Sequence, residues 1–171
     1  MKHFPARRAV LALGAMKKGE PSVKLVGFEA PGDSRRLLER LVHVYRRASR
    51  SPLPLLPRAS WRFADEMRVV ASDPSFFDDG LPTDHDALAI VARAHAAALA
   101  AWRSTPNRDG DESDPYLARV YEGTHPIVDE TIRPVPLALD FARLALTVWG
   151  PVMHARRAED DAQAWLAGGV R

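Results

Sequence analysis

The sequence predicts an α+β domain that is predominantly helical, and three observations predict it. Apolar residues recur at steps of three and four over Arg35–Arg50 and Thr83–Trp102, the pattern of helices with one buried face. A single run, Ser22–Glu29, gathers the strand formers Val23, Leu25, Val26 and Phe28 between Pro21 and Pro31-Gly32. The 14 prolines and 10 glycines punctuate the rest into five to seven helices. At 171 residues, a single domain spanning 1–171 is long enough for a sizeable core.

Composition narrows the class. There is no cysteine, so disulfides and thiolate metal sites are excluded, and a reducing cytoplasm is the expected location. No apolar run approaches the roughly 20 residues of a membrane helix. Ala9–Met16 is too short, and too soon followed by Lys17-Lys18, to read as a signal peptide. Charge is uneven. Residues 1–70 carry 15 Lys and Arg against 6 Asp and Glu, and residues 71–171 carry 9 against 16. Either the basic half meets phosphate, or the two halves attract each other.

Met1–Lys18 reads as a helix entered at Pro5 and ended by Gly19 and Pro21. Gly14-x-x-x-x-Gly19 fails as a phosphate loop, because Glu20 follows where Lys-Ser/Thr is required. Ser22–Glu29 is the one clear strand. A lone strand cannot satisfy its own backbone, so it needs strands this chain does not obviously encode, or a partner chain.

The central stretch is Arg35–Trp61. Leu37, Leu38, Leu41, Val42 and Tyr45 share one helix face, and Arg36, Arg40, His43, Arg47 and Arg50 another. Asp33 or Ser34 caps the start. The basic stripe is either a solvated face with Glu39 as intrahelical partner, or a phosphate contact through Arg36, Arg40, Arg47 and Arg50, since arginine forks match phosphate geometry. Pro52-Leu53-Pro54-Leu55-Leu56-Pro57 is extended by its prolines. Leu53, Leu55, Leu56 and, beyond Ser60, Trp61 form either core packing or a docking surface for a partner.

Ser60–Ser72 reads as a helix capped by Ser60, with Trp61, Ala64, Met67 and Val70 or Ala71 inward. Asp73–Pro82 is a loop that Phe76 and Phe77 pin to the core. Thr83–Trp102 opens on the capping box Thr83-x-x-Asp86 and turns Leu88, Val91, Ala92, His95, Leu99 and Trp102 inward. Its many alanines predict close packing against another helix. Ser104–Ser113 is a solvated acidic loop whose register does not fit a calcium site. Asp114 caps a short helix with Pro115 in its first turn, Gly123 at its end, and Tyr116, Val120 and Tyr121 inward. His125, Asp129 and Glu130 are too loosely spaced to read as converging metal ligands. Leu137–Trp149 is a helix introduced by Pro134 and Pro136 and stopped by Gly150-Pro151, and a last helical piece ends at Gly168-Gly169.

The ordered set resembles a known family. A helix ending Leu-x-x-x-Tyr-Arg (Leu41 to Arg46) runs into Pro-Leu-Pro-Leu-x-Pro-Arg-x-Ser-Trp (Pro52 to Trp61). Asp114-Pro115-Tyr116, Phe141-Ala-Arg-Leu-Ala and Val148-Trp-Gly-Pro-Val follow, and Val23–Phe28 stands ahead as a strand containing Val-Gly. This resembles the C-terminal domain of RecC, the exodeoxyribonuclease V gamma subunit, across nearly the whole chain. The resemblance implies a partial nuclease-like fold of the PD-(D/E)XK type. It also implies a non-catalytic DNA-binding and scaffolding role in a RecBCD-type helicase–nuclease complex, with duplex or forked DNA and RecB-like and RecD-like subunits as partners and no cofactor.

Nucleases of that fold hold magnesium with Asp and (Asp/Glu)-x-Lys. Here the lysines are Lys2, Lys17, Lys18 and Lys24. Ala15, Met16 and Ser22 stand two residues before the last three, so no (Asp/Glu)-x-Lys exists in the chain. The alternative from another class is a helical protein-interaction module with no nucleic-acid role.

Overall fold

A strand needs backbone partners, and the predicted strand finds them in the residues just before it. In a computed structural model of the chain, the described residues are 8–17, 20–29, 34–71, 73–122, 125–127 and 139–157. They belong to two compact units, one made of residues 1–35 and 154–171, the other of 36–153.

In the first unit, β1 (Arg8–Lys17) pairs antiparallel with β2 (Glu20–Glu29), from Arg8↔Glu29 to Lys17↔Glu20. A short β3 (Arg156–Arg157) adds to β2 at Gly27↔Arg157 and Phe28↔Arg156, giving the order β1-β2-β3. The helix expected over Met1–Lys18 is therefore a strand across its described residues, and the lone strand is half of a hairpin. Val10, Leu11, Leu13 and Met16 fit either period over so short a run. Ten paired residues decide for the strand, as cross-strand context commonly overrides local preference.

The helices are α1 (Ser34–Ala48), α2 (Pro57–Met67), α3 (His85–Trp102), α4 (Pro115–Val120) and α5 (Leu139–Ala155). Predominantly helical α+β architecture thus holds, with a hairpin in place of the single strand. In the second unit, Leu56, Ala59, Phe63, Ala64 and Met67 from α2 and its approach meet Phe77, then Val91, Ala94, Ala98, Ala101 and Trp102 of α3. Ile127 and, from α5, Phe141, Ala142, Ala145, Leu146 and Met153 close the core. Phe63 is central: its ring stands 5.5 Å from Phe141, edge to face, and 6.4 Å from Phe77. Phe76 and Phe77 do pin their loop, which forms a 3-10 turn capped by Asp73.

Several local expectations shift. α2 begins earlier than predicted, with Pro57 at its first position, where the missing N–H costs nothing. Ser60 is not the cap. It is buried in the helix, and its hydroxyl accepts from the Leu56 amide at 3.0 Å. α3 is capped by Asp84, which accepts from the Ala87 amide at 2.8 Å, rather than by Thr83. Its buried line is Val91, Ala94, Ala98, Ala101 and Trp102, while Leu88 and Ala92 are exposed. Side chains of one carbon let α2 approach closely, so the alanines are buried in preference to larger neighbours, and α3 packs on α2 as they predict.

Asp114 caps α4 as expected, accepting from the Tyr116 and Leu117 amides, but Tyr116 itself is 73% exposed. α5 does not stop at Gly150-Pro151: Pro151 lies inside it. The proline removes one N–H from the ladder, and burial of Phe141, Ala145 and Leu146 before it and Met153 after it holds the helix through the break. His95 sits half-buried. Burial pushes its imidazole below the ordinary 6.5, against a hydrogen bond to the Ile127 backbone, and His125 adds to the depression. Asp129, Glu130 and the Gly168-Gly169 end lie outside the described residues.

Candidate functional site

α1 is amphipathic, with Arg36, Arg40, His43 and Arg47 at steps of three and four, and no residue of it is fully buried. Leu37, Leu41 and Val44 are half-buried. The expected apolar face is only partly covered, since Leu38 is 62% exposed, Val42 40% and Tyr45 73%. Amphipathic spacing is legible in a sequence; whether anything covers the apolar side is not.

Among the four stripe arginines, Arg36, Arg47 and Arg50 are exposed. Arg40 is half-buried and faces Asp73: its Nη1 donates to Oδ2 at 2.6 Å and its Nη2 to Oδ1 at 3.5 Å. This fork ties α1 to the start of the 3-10 turn. Burial pulls the Asp73 carboxyl upward, but hydrogen bonds from Arg40 and Ser75, together with the guanidinium charge, outweigh it and hold the pKa at about 2 against the ordinary 3.8.

A depressed carboxylate stabilises above its unfolded value and loses that contribution as pH falls through the folded one. The Arg40–Asp73 tie is therefore intact above about pH 4 and lost on acidification to about 2. Because the pair is partly solvated, it contributes no more than about 1 kcal/mol. Arg40→Ala is expected to return the Asp73 carboxyl towards the ordinary range, read by NMR titration of its carboxyl carbon. An unchanged midpoint would mean that Arg40 is not what holds it down.

The proline segment is tied to the fold. Leu56 is fully buried, and Leu53 and Leu55 are half-buried. The Tyr121 hydroxyl donates to the Leu53 carbonyl at 2.6 Å, and burial raises that phenol above its ordinary pKa. Trp61 is half-buried against the core, its ring 5.1 Å from Trp149 and edge to face. Core packing thus accounts for Leu56 and, in part, for Trp61.

Two features escaped the sequence. The first is Asp111, expected to be solvated but only 4% exposed. Its carboxylate accepts from the Arg58 amide at 3.1 Å and the Ala59 amide at 2.7 Å, capping α2 from a distant loop. The signal was there in negative form: Leu56 precedes Pro57 and has no side-chain oxygen, so the first turn of α2 needs an acceptor from elsewhere. Gly110 lets that loop close, since a Cβ there would stand 2.2 Å from the Trp102 carbonyl oxygen. The second is an open cavity of about 430 Å³ lined by Arg58, Arg62, Arg108, Trp61 and Trp149, with Pro57 and Ala101. Arg108 comes from a separate loop, which no spacing rule connects to α2.

Among the described residues, no three His, Cys, Asp or Glu side chains gather as metal ligands, and no helix is long and apolar enough to cross a membrane. No curated protein and no solved structure matches the chain. Residues 8–68 match the family model of the RecC C-terminal domain. That stretch contains β1, β2, α1, the proline segment and α2, and over it the chain is similar to a RecC C-terminal domain.

Proposed function

We propose that this chain is a non-catalytic, DNA-binding and scaffolding part of a RecBCD-type helicase–nuclease complex in double-strand-break repair and recombination. The observation that carries the reading is the family match over residues 8–68, with the arginine stripe of α1 inside it. A RecC C-terminal domain belongs to the gamma subunit of exodeoxyribonuclease V, which gives the chain its context. Arg36, Arg47 and Arg50 are exposed and suited to phosphate, and the chain has no (Asp/Glu)-x-Lys with which to assemble a nuclease site. On this reading the sheet and its helices are part of an inactive nuclease-like fold. The partners are a duplex or forked DNA end and RecB-like and RecD-like subunits in the cytoplasm.

The test is titration of a fluorescent forked duplex at several salt concentrations, with wild type and with Arg36/Arg47/Arg50→Ala. Arg40 is kept because it holds Asp73. Wild type is expected to bind with affinity falling linearly in log-log form with salt. The variant is expected to bind more weakly, with a slope shallower by roughly 3, one counterion per lost contact. A folded wild type that binds no DNA at low salt sinks the reading.

One observation favours the second reading, a protein-interaction module: Leu38, Val42 and Tyr45 form an exposed apolar stripe on α1. In that case α1 docks on protein, and the titration shows no DNA binding at low salt.

A further inference from the structure

The cavity between α2, the end of α3, the loop carrying Arg108, and α5 has a composition that packing alone does not explain. Three guanidinium groups and two indoles line it, and no carboxylate does. Arg58 donates through Nη1 to the Asp109 carbonyl, and Arg108 through Nη2 to the Ala100 carbonyl. Each is held in place by one nitrogen, and neither forms a salt bridge among the described residues. Arg62 is exposed and likewise has no carboxylate partner there. On α2 itself Asp65 lies by Arg68 and Glu66 holds Arg93, and Asp111 caps the helix. Trp61 and Trp149 meet at 78°, forming a corner of two aromatic planes, and the Trp149 Nε1–H is buried with no acceptor among the described residues.

We propose that this cavity binds a nucleotide unit, its phosphate on Arg62 and its neighbours and its base against the indole corner. The argument is one of complementary chemistry. A plain anion would satisfy the arginines and leave two aromatic walls bare. An uncharged flat ligand would use the walls and leave three cations unpaired. A phosphate joined to a planar base uses both, because guanidinium forks match phosphate oxygens and indole faces take bases of any identity. The volume, about 430 Å³, lies within the range of small-ligand sites. The site uses none of the α1 arginines. A free nucleotide and a nucleotide within a single strand share this chemistry, and the experiment separates them.

The full chain is titrated calorimetrically with thymidine 5′-monophosphate, thymidine, inorganic phosphate and an eight-residue oligothymidylate, each against wild type, Arg62→Glu and Arg62→Gln. Far-ultraviolet circular dichroism confirms that the variants fold. Thymidine 5′-monophosphate binding at least about tenfold tighter than thymidine or phosphate, and weakened about ten- to a hundredfold by either substitution, supports a free-nucleotide site. The same loss seen only with the oligonucleotide supports a strand site. Binding of neither probe, binding no tighter than that of phosphate, or binding unaffected by both substitutions overturns the proposal.

Discussion

Phe63→Ala is expected to lower the stability of the helical unit by about 3–5 kcal/mol, the cost of removing a large ring from a core that only partly collapses into the space. Phe63 is fully buried on α2, and its ring touches aromatic neighbours from two other elements, Phe77 of the 3-10 turn and Phe141 of α5. Deleting it removes the edge contact to Phe141, the tilted contact to Phe77 and the apolar burial at once. Small domains hold only about 5–15 kcal/mol in total, so the variant should unfold at much lower urea. Tyr116→Ala is the control: that ring is 73% exposed, and its loss should change stability by less than about 0.5 kcal/mol. Equal midpoints for the two variants would show that Phe63 is not at the centre of the core.

Asp111→Ala is expected to cost about 2–3 kcal/mol. The carboxylate serves two amides in the first turn of α2, and one of them belongs to the fully buried Ala59. Alanine removes the acceptor and leaves that amide without one, adding a desolvation penalty to the lost cap. Asp111→Asn keeps an oxygen but not the charge that suits a helix N-terminus, so it should recover part of the loss. Urea unfolding with an unchanged slope and a lower midpoint would register the effect. A midpoint equal to wild type in Asp111→Ala would mean that water caps α2 as well as the carboxylate does.

What the sequence revealed follows a physical division. Periodicity located α1 and α3, because a repeated apolar step is local information. It misjudged which residues of α3 are covered, because it weights Leu88 above Ala94 and Ala98, whereas a close helix pair selects the smallest side chains. It read β1 as a helix, because Arg8–Lys17 becomes a strand through its register with Glu20–Glu29 and not through its own composition. Gly150-Pro151 reads as a stop, although buried side chains on both sides outweigh one missing backbone bond. For the site, the arginine stripe was visible, but the Arg40–Asp73 fork was not, since the two residues are separated by 33 positions. The same limit hid Asp111, which caps the distant α2, and Arg108, which lines a cavity with residues of α2 and α5, and only the folded chain brings them there.

The cap on α2 also bears on whether the matched segment is complete as a physical object. The matched segment stops at residue 68, immediately after α2. Yet the acceptor for its first turn is Asp111, and the rings against Phe63 are Phe77 and Phe141, all beyond that point. A piece excised at residue 68 would leave Leu56, Phe63 and Met67 uncovered and the start of α2 frayed, a species disposed to aggregate and not a miniature of the domain. Kinship and cooperativity therefore draw different boundaries here. Any protein that inherits the recognisable segment must also provide, from some later part of its chain or from a neighbour, an acceptor for that helix and an apolar lid for that stripe.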